Sequence, residues 1–248
     1  MPGKTDQGHP RLSGACYTCG KKDLTPVPDT VLETPRGDTK ASLILAALEL
    51  FSTQGIDAVS MRTINAHAGA RNASAVHYHF GSKLGMIKAI IEFLKGELDT
   101  HRLPLVEALE ARETAGETLT VREILGANYW PYIKLSEDPQ LGRHGVLFLA
   151  RLHTDIDPAT QEMLNHDPHG IAKRLDRLLA KVLPALGEQE RRTRYIYSWT
   201  LTLHGLAAGG TWRTTSLGDL RSKSSTEAFE RLLDYLVGGM SAENPRPA

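Results

Sequence analysis

The 248-residue chain has only two cysteines and little aromatic content, and it carries no net charge, since 29 Lys and Arg balance 29 Asp and Glu. Two cysteines, Cys16 and Cys19, cannot build a disulfide framework, so a reducing cytoplasm is expected. No stretch approaches the roughly 18 consecutive apolar residues of a membrane span, so no membrane partner is expected. The polar start, Met1 to Arg11, has no apolar segment of the kind found in secretory signals. Strand-length alternation of apolar and polar residues is missing, as are Asn-Gly and Asp-Gly hairpin turns. There is no G-x-S-x-G, H-E-x-x-H, phosphate-binding loop or G-x-G-x-x-G, and the ten histidines are scattered. These absences argue against an enzyme and against a cofactor or bound metal. Zero net charge also argues against a nucleic-acid partner, provided the charge is evenly spread, and it is not.

Residues 1–37 are punctuated by Gly3, Gly8, Pro10, Gly14, Gly20, Pro26, Pro28 and Pro35, too often for a regular element, and are read as a disordered tail. The rest reads as an all-α chain. A first helix is expected over 38–54, with Ile44, Ala47, Leu48 and Phe51 on one face and Gly55 closing it. Short helices follow, one starting at Ser60 as N-cap and one over 73–80; Ser82 then caps a helix over 83–101. Further helices are expected near 105–113, 120–135, 139–153, 159–182, 189–209 and 224–239, with Pro104 and Pro168 among the residues marking starts, kinks or stops. Arg213–Lys223 reads as a loop. The domains drawn from this pattern are 38–84 and 85–240, followed by a short tail, 241–248.

From Ala58 to Ile91 the sequence contains no Asp or Glu, while it holds Arg62, Arg71, Lys83, Lys88, His67, His77 and His79. An acid-free surface is what close approach to phosphates requires. The same window places two short helices around Gly69, the helix-turn-helix arrangement that lays a second helix in the DNA major groove. The run Ala47-Leu48-Glu49-Leu50-Phe51, then Gly55, Ser60-Met61-Arg62-Thr63-Ile64, Ala68-Gly69 and Tyr78-His79-Phe80-Gly81-Ser82-Lys83 resembles the DNA-binding region of the tetracycline-repressor (TetR) family over about residues 38–90. Beyond residue 101 the resemblance lies only in helical character and length.

The resemblance implies a dimeric, ligand-responsive transcriptional regulator, in most cases a repressor of a roughly palindromic double-stranded operator. It implies that Tyr78 and Lys83 touch phosphates and that Ser60, Arg62 and Thr63 lie at the backbone-contacting start of the second helix. Ser74, Ala75, His77 and His79 then fall on or near the recognition helix, with Asn72 capping it and Arg71 just before it. Arg71, Asn72 and His77 have the chemistry to read base edges. Three departures stand out: a stretch from Gly69 to Tyr78 one residue longer than the commonest form, Asn65 where a small alanine is usual, and Gly85 inside the first turn of the fourth helix.

The resemblance also implies a cavity for a small-molecule effector, for which a hydrophobic or aromatic ligand is expected. Tyr129, Trp130, Phe148 and His153 are its candidate lining, though each taken singly reads more readily as core packing. It further implies a four-helix dimer interface from the last two long helices, with Trp199, Leu203, Leu206, Leu232 and Leu236 as candidates. Two other readings stay open: a helical enzyme or small-molecule carrier using the same cavity, and half a zinc ribbon at Cys16-Tyr17-Thr18-Cys19. The latter lacks the four ligands that structural zinc needs, and incidental cysteines are favoured.

Overall fold

Five helices begin on a side chain that satisfies one of their first free amides: Ser60, Ser82, Thr120, Asp157 and Ser224. The computed structural model describes residues 39–70, 72, 74–154 and 157–243. The N-terminal segment with Cys16 and Cys19, Arg71, and the last five residues lie outside these. The described residues form ten α-helices, with a 3-10 turn at Gly209–Thr214 and no β-strand. None of the helices is long and apolar enough to cross a membrane.

Helix α1, Thr39–Gln54, buries Leu43, Ala47, Leu48 and Phe51 and ends at Gly55, whose φ of 93° is open to glycine but strained for other residues. Helix α2, Met61–His67, starts on Ser60, whose Oγ accepts from the Thr63 amide at 3.1 Å. Helix α3 is Ala75–Phe80. Helix α4, Lys83–Thr114, is capped by Ser82, whose Oγ accepts from the Gly85 amide at 3.0 Å.

The expected break at Pro104 does not occur: α4 runs through it for 32 residues. A proline inside a helix costs one hydrogen bond and crowds the preceding turn. Here Leu94, Leu98, Val106 and Leu109 form one buried stripe on both sides of it, and packing on α5 holds the two halves in line. The boundary drawn between residues 84 and 85 therefore falls inside a single helix common to both regions. Gly96, on the exposed side of α4, has open space where a Cβ would stand. Gly96→Ala is expected to raise stability by about 1 kcal/mol through helix propensity alone, read as a higher midpoint of thermal unfolding; a lower midpoint would show that α4 needs flexibility there.

Helix α5, Val121–Glu137, opens with a reciprocal capping box between Thr120 and Glu123 and also contains a proline, Pro131. Helix α6, Gly142–His153, lies between α1, α5 and α9. The single helix expected over 159–182 is two, α7, Pro158–Asn165, and α8, Ile171–Val182. Between them Gly170 takes a φ of 61°, and Asp167 accepts from the Ile171 and Ala172 amides, both at 3.0 Å. Helix α9, Glu188–Ala207, and α10, Ser225–Ser241, complete the bundle, and the first residues of the loop expected from Arg213 belong to the 3-10 turn.

Candidate functional site

The two short helices hold the α2–α3 corner together through buried groups. Asn65 is buried, and its Oδ1 accepts from the Val76 amide in the first turn of α3 at 3.1 Å. The unusual amide at this position thus satisfies a backbone donor that would otherwise be stranded. Ala75 and Val76 face the core, at 6% and 0% exposure. Ala75 is therefore corrected from a DNA-facing residue to a packing residue, because the phase of α3 turns its methyl inward.

The opposite side of the corner points outward. Arg62, Thr63, Ser74, His77, Tyr78 and His79 are all exposed, as is Asn72. His77 and His79, two apart in sequence, both reach solvent because α3 is so short. Tyr78 is 85% exposed, and its ring has only the edge of His79 beside it, with centroids 5.1 Å apart. Asn72 Oδ1 accepts from the Ser74 amide at 2.9 Å, a turn just before the helix; the N-cap position of α3 is Ser74, so the expectation that Asn72 caps this helix is corrected. Ser60 Oγ lies 2.7 Å from Thr63 Oγ1. Lys83 begins α4 at the edge of this surface and donates from Nζ to the Asp57 carbonyl at 3.3 Å.

In space the surface is less free of acid than in sequence. Glu49 of α1 reaches His67, with Oε2 2.9 Å from Nε2, and that hydrogen bond holds the Glu49 carboxyl below its usual range. His67 is thereby committed to α1, while the exposed Arg62, His77 and His79 pair with no carboxylate among the described residues, His77 Nδ1 lying 3.1 Å from the Gly81 carbonyl oxygen.

A cavity of about 200 Å³ lies in the helical region, lined by α4, α5, α6, the end of α7, α8, α9 and the segment between α7 and α8. None of the four aromatic and histidine candidates lines it. Tyr129 is fully buried and its hydroxyl bonds Ser198 of α9, the burial pushing its phenol well up. Trp130 packs on Phe229 of α10 with ring centroids 5.3 Å apart. Phe148 stacks on Phe51 of α1, and His153 Nδ1 lies 3.0 Å from His204 Nε2. These residues fasten helices together. The cavity is lined instead by Leu98, Arg102, Asn128, Tyr132, Tyr195 and Trp199, among others. Trp199 Nε1 donates to the Tyr132 hydroxyl at 2.9 Å, and Asn128 Nδ2 donates to the Tyr195 hydroxyl at 3.0 Å.

The sequence carried a sign of this site that aromatic content obscured. At four-residue spacing the buried face of α4 reads Leu94, Leu98, Arg102, Val106, with a cation where an apolar residue is due.

Of the five dimer candidates, Leu203 and Leu236 are buried in the subunit's own core, at 1% and 3% exposure, and Trp199 and Leu203 line the cavity. Leu206 and Leu232 are partly covered. The large apolar side chains that α9 and α10 do expose are Ile196, Tyr197, Leu201 and Tyr235.

Two family models match the chain: one described as "Bacterial regulatory proteins, tetR family" over residues 43–90 and one described as "Tetracyclin repressor-like, C-terminal domain" over residues 127–239. No curated protein matches it. The fold is similar to the crystal structure of a protein from a Rhodococcus species assigned to the TetR-family transcriptional regulators. The TM-score is 0.53 at 15% identity, over 82% of this chain and 99% of that one. It is also similar to the TetR-family transcriptional regulator PfmR from Thermus thermophilus, with a TM-score of 0.50 at 13% identity over 84% and 99%. With a helix-turn-helix region and a helical C-terminal region each matched in its own place, the chain belongs to the tetracycline-repressor (TetR) family of transcriptional regulators.

Proposed function

We propose that the protein is a homodimeric cytoplasmic repressor that binds a palindromic operator and leaves it when a small molecule fills the cavity. The observation that carries this reading is the outward face of the α2–α3 corner, where Arg62, Thr63, His77, Tyr78 and His79 stand exposed beside Lys83. Each subunit lays α3 in a major groove, and the two-fold axis of the dimer matches that of the operator. Ser60, Arg62, Thr63, Tyr78 and Lys83 set position on the phosphates. Asn72, Ser74, His77 and His79 are assigned to base edges, and so is Arg71, which lies outside the described residues, on its chemistry alone.

The apolar surface of Tyr197 and Leu201 on α9 and Tyr235 on α10, rather than the buried Leu203 and Leu236, forms the contact between subunits, with Leu206 and Leu232 at its margin. Tyr197, Leu201, Gly205 and Ala208 share one face of α9, and Leu232, Tyr235 and Gly239 one face of α10, so small residues let the paired helices approach closely. Ligand and operator each weaken the binding of the other by the same factor, because both draw on one conformational equilibrium.

The test is binding of the purified dimer to DNA from upstream of its own gene, followed by fluorescence anisotropy over a series of salt concentrations. Salt-sensitive binding to one segment of that DNA is expected; its absence for every segment would favour a helical enzyme or carrier built on the same cavity. Lys83→Ala and Tyr78→Phe are expected to weaken binding to all sequences, with Lys83→Ala reducing the salt slope by about one. Arg71→Ala is expected to relax preference at one operator position, by about 1–3 kcal/mol. Equal loss for every sequence would make Arg71 a phosphate contact instead.

A further inference from the structure

Arg102 is the charged group of the cavity whose bonding is incomplete. Its side chain is 12% exposed, and its Nε and Nη2 are buried with no hydrogen-bond partner among the described residues. Nη1 stands 3.5 Å from Asp99 Oδ1, at the outer limit of a hydrogen bond, and the guanidinium carbon lies 5.2 Å from the centre of the Tyr132 ring. The guanidinium stays charged at any physiological pH, so it is a buried cation only partly compensated.

The other charged side chains of the lining are better engaged. Lys95 donates from Nζ to the carbonyls of Met163, Leu164 and His166 at 2.9, 2.8 and 2.6 Å. Asp167 caps α8 through both oxygens. Asp99 reaches Nη1 at the limit of a hydrogen bond, and its carboxyl is pushed up by burial against the pull of Arg102, His169 and Lys95.

Nε and Nη2 are the two nitrogens on one edge of the guanidinium, the edge whose parallel N–H groups match both oxygens of a carboxylate. Around the same cavity stand Leu98, Leu149, Leu164, Ile171, Leu203 and the indole of Trp199. The volume, about 200 Å³, is below the roughly 300–1,000 Å³ of pockets for drug-sized ligands. We infer that the ligand of this cavity is a small apolar carboxylate, its carboxylate bridging Nε and Nη2 of Arg102 and its hydrocarbon or aromatic body lying against the leucines and Trp199. This rests on the cavity being the effector site, and it adds to that reading a required negative charge. Because the two nitrogens are closed off from water, the incoming anion has to shift the guanidinium or the Tyr132 ring. It thereby acts directly on α4 and α5.

The experiment uses the full chain and a series of carboxylates, namely benzoate, phenylacetate, 3-phenylpropionate, hexanoate, octanoate and decanoate, each beside its primary amide. Binding is read by calorimetry and by the shift of the thermal midpoint. At least one carboxylate is expected to bind about tenfold to a hundredfold more tightly than its amide. Arg102→Met, which fills similar space without the charge, is expected to erase that preference while the ligand-free protein becomes more stable, since an incompletely paired buried cation has been removed.

No carboxylate preferred over its amide, a preference that survives Arg102→Met, or a less stable Arg102→Met protein would each overturn the inference. Operator binding measured on the same samples separates the two readings. A carboxylate held by Arg102 that leaves operator affinity unchanged supports the ligand class and sinks release by effector. Operator binding with no carboxylate preference sinks the ligand class and leaves the DNA-binding reading standing.

Discussion

Gly85→Ala is expected to abolish specific operator binding while leaving the larger helical region folded. A Cβ at this position would stand 2.1 Å from the carbonyl oxygen and 3.2 Å from the carbonyl carbon of Phe80, the last residue of α3. That oxygen also accepts from the Ser82 amide at 2.7 Å, so it cannot simply turn away. Restoring ordinary contact takes a separation of roughly 1 Å between the end of α3 and the start of α4. Alanine is worth about 1 kcal/mol more than glycine inside a helix. Overpacking costs about 1–3 kcal/mol, and because the obstacle is backbone, the steric effect wins. Tyr78 and Lys83 flank this junction, and a displacement of that size takes one or the other off the phosphate contact proposed for it. Circular dichroism is expected to stay largely helical while anisotropy against upstream DNA shows little specific binding. Parental affinity in the alanine variant would mean that the junction does not set the recognition helix.

Phe148→Ala is expected to give the largest loss of stability, about 3–5 kcal/mol, or a fall of roughly 6–20 °C in the thermal midpoint for a chain of this size. Phe148 is fully buried in α6 and stacks on the equally buried Phe51 of α1, with centroids 6.2 Å apart and planes 17° from parallel. Nearby, Ser52 Oγ of α1 lies 2.7 Å from His144 Nδ1 of α6. This seam joins the helix-turn-helix to the rest of the bundle, so the cavity left by truncation loosens that attachment. A double-mutant cycle with Phe51→Ala isolates the pair. If Phe148→Ala melted with the parent, α6 would not be what fixes α1.

The helix-turn-helix was legible because its signals are local. Ser60 and Ser82 cap the helices they precede, Gly55 and Gly69 adopt positive φ, and the acid-free window coincides with the exposed corner. Ala75 was misread because being next to contacting residues says nothing of which way a methyl points in a helix of six residues. The path of α4 through Pro104 was not legible, since the local rule for proline yields to a buried stripe that only the tertiary structure completes. The gap between α7 and α8 was marked by Pro168 and Gly170, yet the leucines beyond continue at helical spacing and carried the reading across it. The candidate lining residues lie away from the 200 Å³ cavity for a different reason. Large aromatic residues serve both as pocket walls and as core fasteners, and in Tyr129, Trp130 and Phe148 they are fasteners. The anomalous cation in the apolar stripe of α4 was the better guide.

The unbroken course of α4 gives the molecule a lever. Lys83 and Arg102 stand nineteen residues apart on one helix, about 28 Å at 1.5 Å per residue. A tilt of about 5° pivoting near Arg102 sweeps Lys83 through about 2.5 Å, and two subunits tilting in opposite senses change the span between their reading heads by about 5 Å. Successive major grooves on one side of a duplex lie about 34 Å apart. In the dimer proposed above, a displacement of a few tenths of an ångström beside the cavity, far too slight to matter there, would be magnified into a mismatch with the pitch of DNA.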